Sequence, residues 1–285
     1  MMYPALQLDA SSSSDSAQRL FLRLVRLEYG LLISISLGYL YLPATTASQI
    51  LLMVLVLVAL ASSGYRAWKK PDEDWYQFRA LAESIKTLTW RFATRSEPFN
   101  LDDRVAKAEF RNSLVELLKV NAALGTRFAA YKPEADQITV EMLGLRTGTL
   151  QQRKLQYLNK RIQDQRTWYA HKATLNRKTA KRWQIVLAVV YVVILVVIGI
   201  RIANPVWVWL SPDPLLLVAS SIVGWMQVKK FNDLAAAYLL TAQEIGIASS
   251  EMDDIEEETL WSDFVFRCEQ VFSREHTQWV VRRRT

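Results

Sequence analysis

The sequence predicts an all-α membrane protein: two transmembrane helical hairpins, four spans in all, attached to a helical cytoplasmic bundle. Three observations predict it. The first is Trp183–Ala203, WQIVLAVVYVVILVVIGIRIA, in which the eighteen residues from Trp183 to Ile200 hold only Gln184 as a strongly polar member. At 1.5 Å per residue that is ~27 Å of apolar helix, close to the thickness of a bilayer's hydrocarbon core. A buried core helix of a soluble protein keeps a polar face, and this run has none. The second observation is where the cations stand, before the first and third apolar runs and after the second and fourth. The third is the lack of alternating apolar and polar residues, with nine glycines and eight prolines mostly at apparent helix ends.

Four apolar runs fall into two pairs. Leu27–Leu42, LEYGLLISISLGYLYL, is short, carries Ser34, Ser36, Tyr39 and Tyr41, and stops at Pro43. Gln49–Tyr65, QILLMVLVLVALASSGY, follows after the short connector PATTAS, so the two form an antiparallel hairpin. Trp183–Ala203 is the third. Pro214–Val228, PLLLVASSIVGWMQV, is the fourth, and Ser211-Pro212 before it reads as an N-cap and a first-turn proline. Trp207 and Trp209 in the connector suit a membrane interface.

Arg19, Arg23 and Arg26 precede the first run, and Arg66, Lys69 and Lys70 follow the second. Arg177, Lys178, Lys181 and Arg182 precede the third, and Lys229 and Lys230 follow the fourth. The two short connectors hold only Arg201. Lys and Arg are enriched on the cytoplasmic side, so both termini and the segment Arg66–Lys181 belong there, in a bacterial inner membrane.

The chain of 285 residues carries a net charge of +7 and is 51% hydrophobic, with a mean hydropathy of +0.04. That average fits membrane helices mixed with a large charged part. The basic balance would suit nucleic acid, but these cations flank apolar runs, and the anionic inner leaflet accounts for them without a nucleic-acid partner. The single cysteine, Cys268, excludes an internal disulfide and agrees with a reducing cytoplasm. Residues 1–18 contain the low-complexity SSSSDS and read as a disordered tail rather than a signal peptide.

Residues 19–100 then form the first hairpin with its outgoing helix, 101–148 a helical linker, and 149–250 the second hairpin with long cytoplasmic helices. Residues 251–285 form an acidic linker and a C-terminal amphipathic helix. Within these, helices are expected over Asp72–Arg95, Asp102–Ala130, Glu134–Met142, Lys229–Ser250 and Leu260–Arg282. A helical pattern without Gly or Pro starts near Leu150 and enters the third run unbroken. The hairpins also form a weak repeat: Lys70 leads to Glu83, and Lys230 leads to Glu244 at nearly the same distance.

Catalytic signals are poor. The two histidines, His171 and His276, lie far apart, Cys268 has no CxxC partner, and phosphate-loop, dinucleotide, zinc-protease and esterase motifs are missing. The expectation is a non-enzyme with no catalytic residue, no cofactor and no metal site. Mid-membrane Asp, Glu, Lys and Arg are also missing, which argues against a proton-relay pump or coupled transporter. Small residues spaced by four, Gly30, Ser34 and Gly38 in the first run and Ser220 and Gly224 in the fourth, would let helix backbones approach; Ala59 and Ser63 repeat the spacing in the second.

Two cytoplasmic stretches stand out. In RALAESIKTLTWRFATRSEPF, Arg79, Glu83, Lys86 and Trp90 share one helix face, and in RIQDQRTWYAHKATLN so do Arg161, Gln165, Trp168 and Lys172. Each stripe reads as a helix-surface ion ladder worth ~0.3–0.5 kcal/mol per pair, as a polar contact coupling the two hairpins, or as a ligand pocket.

These two stretches, one after the first hairpin and the other before the second, resemble the SLATT superfamily, the SMODS- and SLOG-associating two-TM effector domains, in a tandem four-TM bacterial form. The resemblance runs from about Arg19 to Ser250, and departs from the family pattern at Phe92, where Tyr is expected. It implies a pore-forming or channel-like effector of an antiviral defence system answering a nucleotide second messenger. No sensor domain is recognisable in this chain, so such a signal would act through the cytoplasmic helices or through a soluble sensor protein. The expected partners are the bilayer and further copies of the chain. The alternative is a non-conducting scaffold whose cytoplasmic bundle docks a soluble partner.

Overall fold

The computed structural model describes residues 3–128, 136–252 and 254–281. Among the described residues there are ten α-helices and no strand. In order they are α1 (Ala5–Tyr41), α2 (Thr46–Lys69), α3 (Pro71–Ala93), α4 (Asp103–Val120), α5 (Val140–Arg146), α6 (Leu150–Tyr157), α7 (Asp164–Ala203), α8 (Asp213–Lys229), α9 (Phe231–Ser249) and α10 (Glu258–Val281). A 3₁₀ turn at Ala122–Arg127 follows α4, and a π-turn at Leu158–Gln163 joins α6 to α7.

The chain divides into two compact units. One comprises Arg19–Lys70 and Ala173–Ala236; the other comprises Met1–Gln18, Pro71–Lys172 and Ala237–Thr285.

The first unit holds the hairpins. Pro43 ends α1, and Thr45 caps α2 by accepting a hydrogen bond from the Ser48 amide at 3.3 Å. Two helices, Thr46–Ala93 and Leu150–Ala203, are long and apolar enough to cross a membrane, and only 11% and 6% of their most apolar windows are buried. Leu60, Ile185 and Leu195 stand exposed on them. A soluble protein would bury such faces, so these helices take a bilayer as their solvent. The expected four spans reduce to two by this measure. Helix α8 has 17 residues, and the apolar half of α1 begins beside Arg26 and Glu28 and carries Ser34 and Ser36.

Small residues serve packing at some of the expected positions. At Gly38 a Cβ would meet the Leu52 side chain at 2.8 Å, and at Gly224 it would run into the Tyr29 ring and hydroxyl. At Gly30 it would meet nothing, while Ser34 and Ser220 are exposed. The Arg26 guanidinium lies 5.1 Å from the Trp225 ring centre. Arg66 forks onto Glu28 at 2.9 and 2.8 Å, a bidentate pair linking α1 to the last turns of α2.

The second unit is a helical bundle. Phe78, Leu81, Ile85, Phe92, Phe99, Phe110, Leu114, Leu124 and Met142 fill its core. Among the described residues, the stretch from Ala5 to Gln18 is not a disordered tail: α1 starts at Ala5, and Ala5, Ala10, Ser13 and Ser14 are buried. Ala10 packs into the core, and the Ser14 hydroxyl donates to the Trp75 carbonyl at 3.1 Å. Small side chains made the stretch look featureless while allowing it to lie close against α3.

Helix α4 ends at Val120 instead of Ala130, closed by the 3₁₀ turn. The break expected at Tyr131–Pro133 lies outside the described residues. The helix expected over Glu134–Met142 is placed later, at Val140–Arg146, where the Thr139 side chain caps the first turn. Thr149 and Gln152 form a reciprocal capping box that starts α6. From there the helix is continuous to Ala203, including His171–Trp183, with the π-turn as its one irregularity.

The repeat recurs in the backbone. After α2, Lys70 takes a left-handed conformation at φ 47°, and after α8, Lys230 does the same at φ 47°. Their amides close onto the carbonyls of Arg66 and Met226 at 2.9 Å, and each is followed at once by a new helix, α3 or α9.

Candidate functional site

The helical bundle carries two adjoining features, a buried ion pair and a polar cleft. The ion pair starts from Arg161 in the π-turn and Glu269 on α10. Arg161 Nε and Nη2 donate to the two Glu269 carboxylate oxygens at 2.8 and 2.6 Å. Tyr157 Oη donates to the same carboxylate at 2.9 Å. Arg161 and Glu269 are 1% and 0% exposed, so both charges are desolvated and each depends on the other. The guanidinium also lies 4.4 Å from the Phe272 ring centre. Its Nη1 is buried and finds no hydrogen-bond partner among the described residues.

This arrangement shifts the neighbouring acids and bases. Burial opposes the charge on Arg161, but the Glu269 carboxylate more than reverses it and raises the pKa above the ordinary arginine value. Burial, then the Glu269 charge, pushes the Tyr157 phenol well above its usual range. The same two causes push the Cys268 thiol up to about 12. A thiol held protonated in an apolar seat is packing rather than a nucleophile.

An aromatic column surrounds the pair. Trp90 meets Tyr157 edge-on at 5.6 Å, Tyr157 meets Trp261 at 5.6 Å, and Trp261 meets Phe264 at 5.7 Å. Trp90 Nε1 donates to Tyr3 Oη at 3.2 Å, and Trp261 Nε1 donates to the Thr94 carbonyl at 3.0 Å. Further contacts seat α10. Arg153 pairs with Glu258 and donates to the Thr94 carbonyl at 2.9 Å. Lys154 Nζ donates to the Ile255 carbonyl at 2.6 Å, and Ser96 Oγ donates to the Ser262 carbonyl at 2.6 Å. Arg146 is fully buried and donates to the carbonyls of Phe92, Phe99 and Leu101 at 2.8–2.9 Å, closing the end of α3.

The cleft has a volume of about 390 Å³. Its walls are α1, α3 and the first turns of α7. Arg79 and Lys86 supply two cations, Asp15, Glu83 and Asp164 three carboxylates, and Trp75, Trp168 and Tyr169 the aromatic surface. Lys86 lies 3.8 Å from Glu83, and burial lowers its pKa against the pull of that carboxylate. Trp168 packs on Tyr169 and Tyr238, with Lys172 Nζ 5.6 Å from its ring centre.

The structure therefore brings Arg79, Glu83, Lys86, Gln165 and Trp168 into one cleft and sets Lys172 behind Trp168. It places Trp90 and Arg161 in the buried network instead. Trp90 departs from its stripe because Tyr3 and Tyr157 cover that end of α3. Arg161 departs from its stripe because the π-turn breaks the register with Gln165. Sequence reasoning missed Glu269, Tyr157, Tyr3, Arg146 and Arg153. The usable signal for Glu269 was its place on the apolar face of an amphipathic helix, between Val265 and Phe272.

Among the described residues no cluster of three or more His, Cys, Asp and Glu could hold a metal ion. No curated protein and no solved structure matches the chain. Two family models do match, in tandem. Residues 4–154 match the SMODS and SLOG-associating 2TM effector domain 3, and residues 157–279 match the SMODS and SLOG-associating 2TM effector domain 1. The boundary falls where α6 gives way to the π-turn, and each match takes in one hairpin and one left-handed lysine. With two such domains covering nearly all of its length, this chain belongs to the SLATT family.

Proposed function

We propose that the protein is a pore-forming, non-enzymatic effector of the bacterial inner membrane that works as a homo-oligomer. The observation that carries the membrane reading is the exposure of the apolar faces of α2 and α7. All four of α1, α2, α7 and α8 cross the bilayer in this reading, with both termini in the cytoplasm. One copy has too few spans to line a wide pore, so conduction requires assembly. Gly30, open on its helix face, is available for a neighbouring copy.

The trigger acts on the cytoplasmic unit. A nucleotide second messenger of a defence system is the class of trigger that the family resemblance implies. The cleft holds three carboxylates against two cations, which favours a soluble sensor protein over a polyphosphate entering there directly. Reconstitution in liposomes tests the proposal. Dye or ion flux that appears with assembly supports it. A bilayer that stays tight with and without nucleotides contradicts it and leaves a non-conducting scaffold, whose partner would co-purify from native membranes.

A further inference from the structure

The π-turn at Leu158–Gln163 interrupts a helix that is otherwise α from Leu150 to Ala203. Such turns wind one extra residue into the helix and are rare, because their backbone geometry is poorer than that of the α-helix. The residues they seat must therefore offset the cost. Here the buried positions explain it. Arg153, Tyr157, Arg161 and Tyr169 are buried at spacings of four or eight residues. In an unbroken α-helix each step of four falls about 40° ahead of the last, which sums to about 160° from Arg153 to Tyr169. One extra residue takes back about 100° of that drift. The turn is what lets Arg161 and Tyr169 be buried by the same unit that buries Arg153.

The seat is held by α10. Glu269 satisfies Arg161 through two hydrogen bonds and Tyr157 through a third. Without Glu269, Arg161 would be a buried, unpaired cation whose Nη1 already lacks a partner. The interaction that favours the π-turn would become one that opposes it. The residues just beyond the turn, Asp164, Gln165 and Trp168, line the cleft and move with any change of register.

We propose that the π-turn is a register switch latched by Glu269: when α10 lifts away, the turn re-forms as α-helix and α7 turns about its own axis by one residue, about 100°. The device converts release of the C-terminal helix into rotation of the helix that carries Trp183–Ile200. It stands on the geometry of the cytoplasmic helices and does not depend on whether the assembled protein conducts.

Thiol labelling of the full-length protein in nanodiscs tests it. Native Cys268 is buried beside Glu269, so its labelling reports release of α10, expected to be fast in Glu269→Gln and slow in the wild type. Rotation is read separately in a Cys268→Ser background from Ala173→Cys, buried in the latched state, and Leu175→Cys, exposed in it. Adding Glu269→Gln is expected to reverse the order of their labelling rates. Deleting the exposed Lys160 removes the extra residue, leaves the flanking registers as they are, and should abolish that reversal. Circular dichroism checks the fold; should Glu269→Gln lose helicity, the milder Glu269→Asp, which keeps the charge but shortens its reach to Arg161, takes its place and must shift the two labelling rates in the same directions. The proposal is overturned if Cys268 stays protected in the variant, if α10 is released with the order unchanged, if both reporters become reactive together, or if the Lys160 deletion leaves the reversal intact.

Discussion

Arg161 and Glu269 show how much a single residue depends on its partner. Breaking a buried pair by Arg161→Met or Glu269→Gln should destabilise the helical bundle by about 3–5 kcal/mol, while replacing both by apolar residues should recover most of the loss. A double-mutant cycle on thermal or denaturant unfolding reads this directly, and equal, additive losses would contradict it. Cys268 gives a pH signature. An unfolded thiol ionises near ~8.5, whereas burial and Glu269 push the folded one up to about 12. Between those values the native state binds the extra proton, so stability falls as pH rises through the window and is unaffected below it. Tyr157 acts in the same direction, and the alkaline loss should be smaller in Cys268→Ala. The residues of the cleft could be read from sequence because helix periodicity aligns Arg79, Glu83 and Lys86. Glu269 could not, because its partner lies 108 positions away and nothing local marks a carboxylate as buried.

At the scale of the element, backbone geometry and close packing decide. Lys70 and Lys230 hold a left-handed conformation that costs an L-residue about 1 kcal/mol and glycine little. Lys70→Gly and Lys230→Gly should therefore leave thermal stability unchanged or raise it, and a clear loss in either would show that the lysine side chain matters more than the turn. The two hairpins also predict opposite outcomes for glycine enlargement. Gly224→Leu must displace Tyr29 and should cost about 1–3 kcal/mol, whereas Gly30→Leu meets open space and should leave monomer unfolding unchanged. Most helices were legible from periodicity, caps and prolines. The π-turn was not, since Gly and Pro are absent there and only the spacing of buried residues betrays it. The start of α1 was hidden by composition, because four successive serines resemble a tail, and only the fold buries Ser13 and Ser14.

For the whole molecule, tandem organisation is the strongest regularity. Two family matches, two hairpins and two left-handed lysines follow one plan. The second copy differs in entering its hairpin through the π-turn and in carrying α10 as a latch. Fold class and family could be read from the chain because apolar runs and their cationic flanks are one-dimensional signals. Span number could not, since α1 and α8 sit at the margin of length and polarity where neighbouring helices decide. The two-hairpin topology underlies the proposed oligomeric pore and the proposed latch alike. It is tested most directly by labelling single cysteines in whole cells with a membrane-impermeant reagent, in a Cys268→Ser background. Thr45→Cys and Val206→Cys, in the two connectors, should label in intact cells, while Asn159→Cys and Glu256→Cys should label only after permeabilisation. Protection of either connector, or labelling of Asn159→Cys in intact cells, would contradict the account.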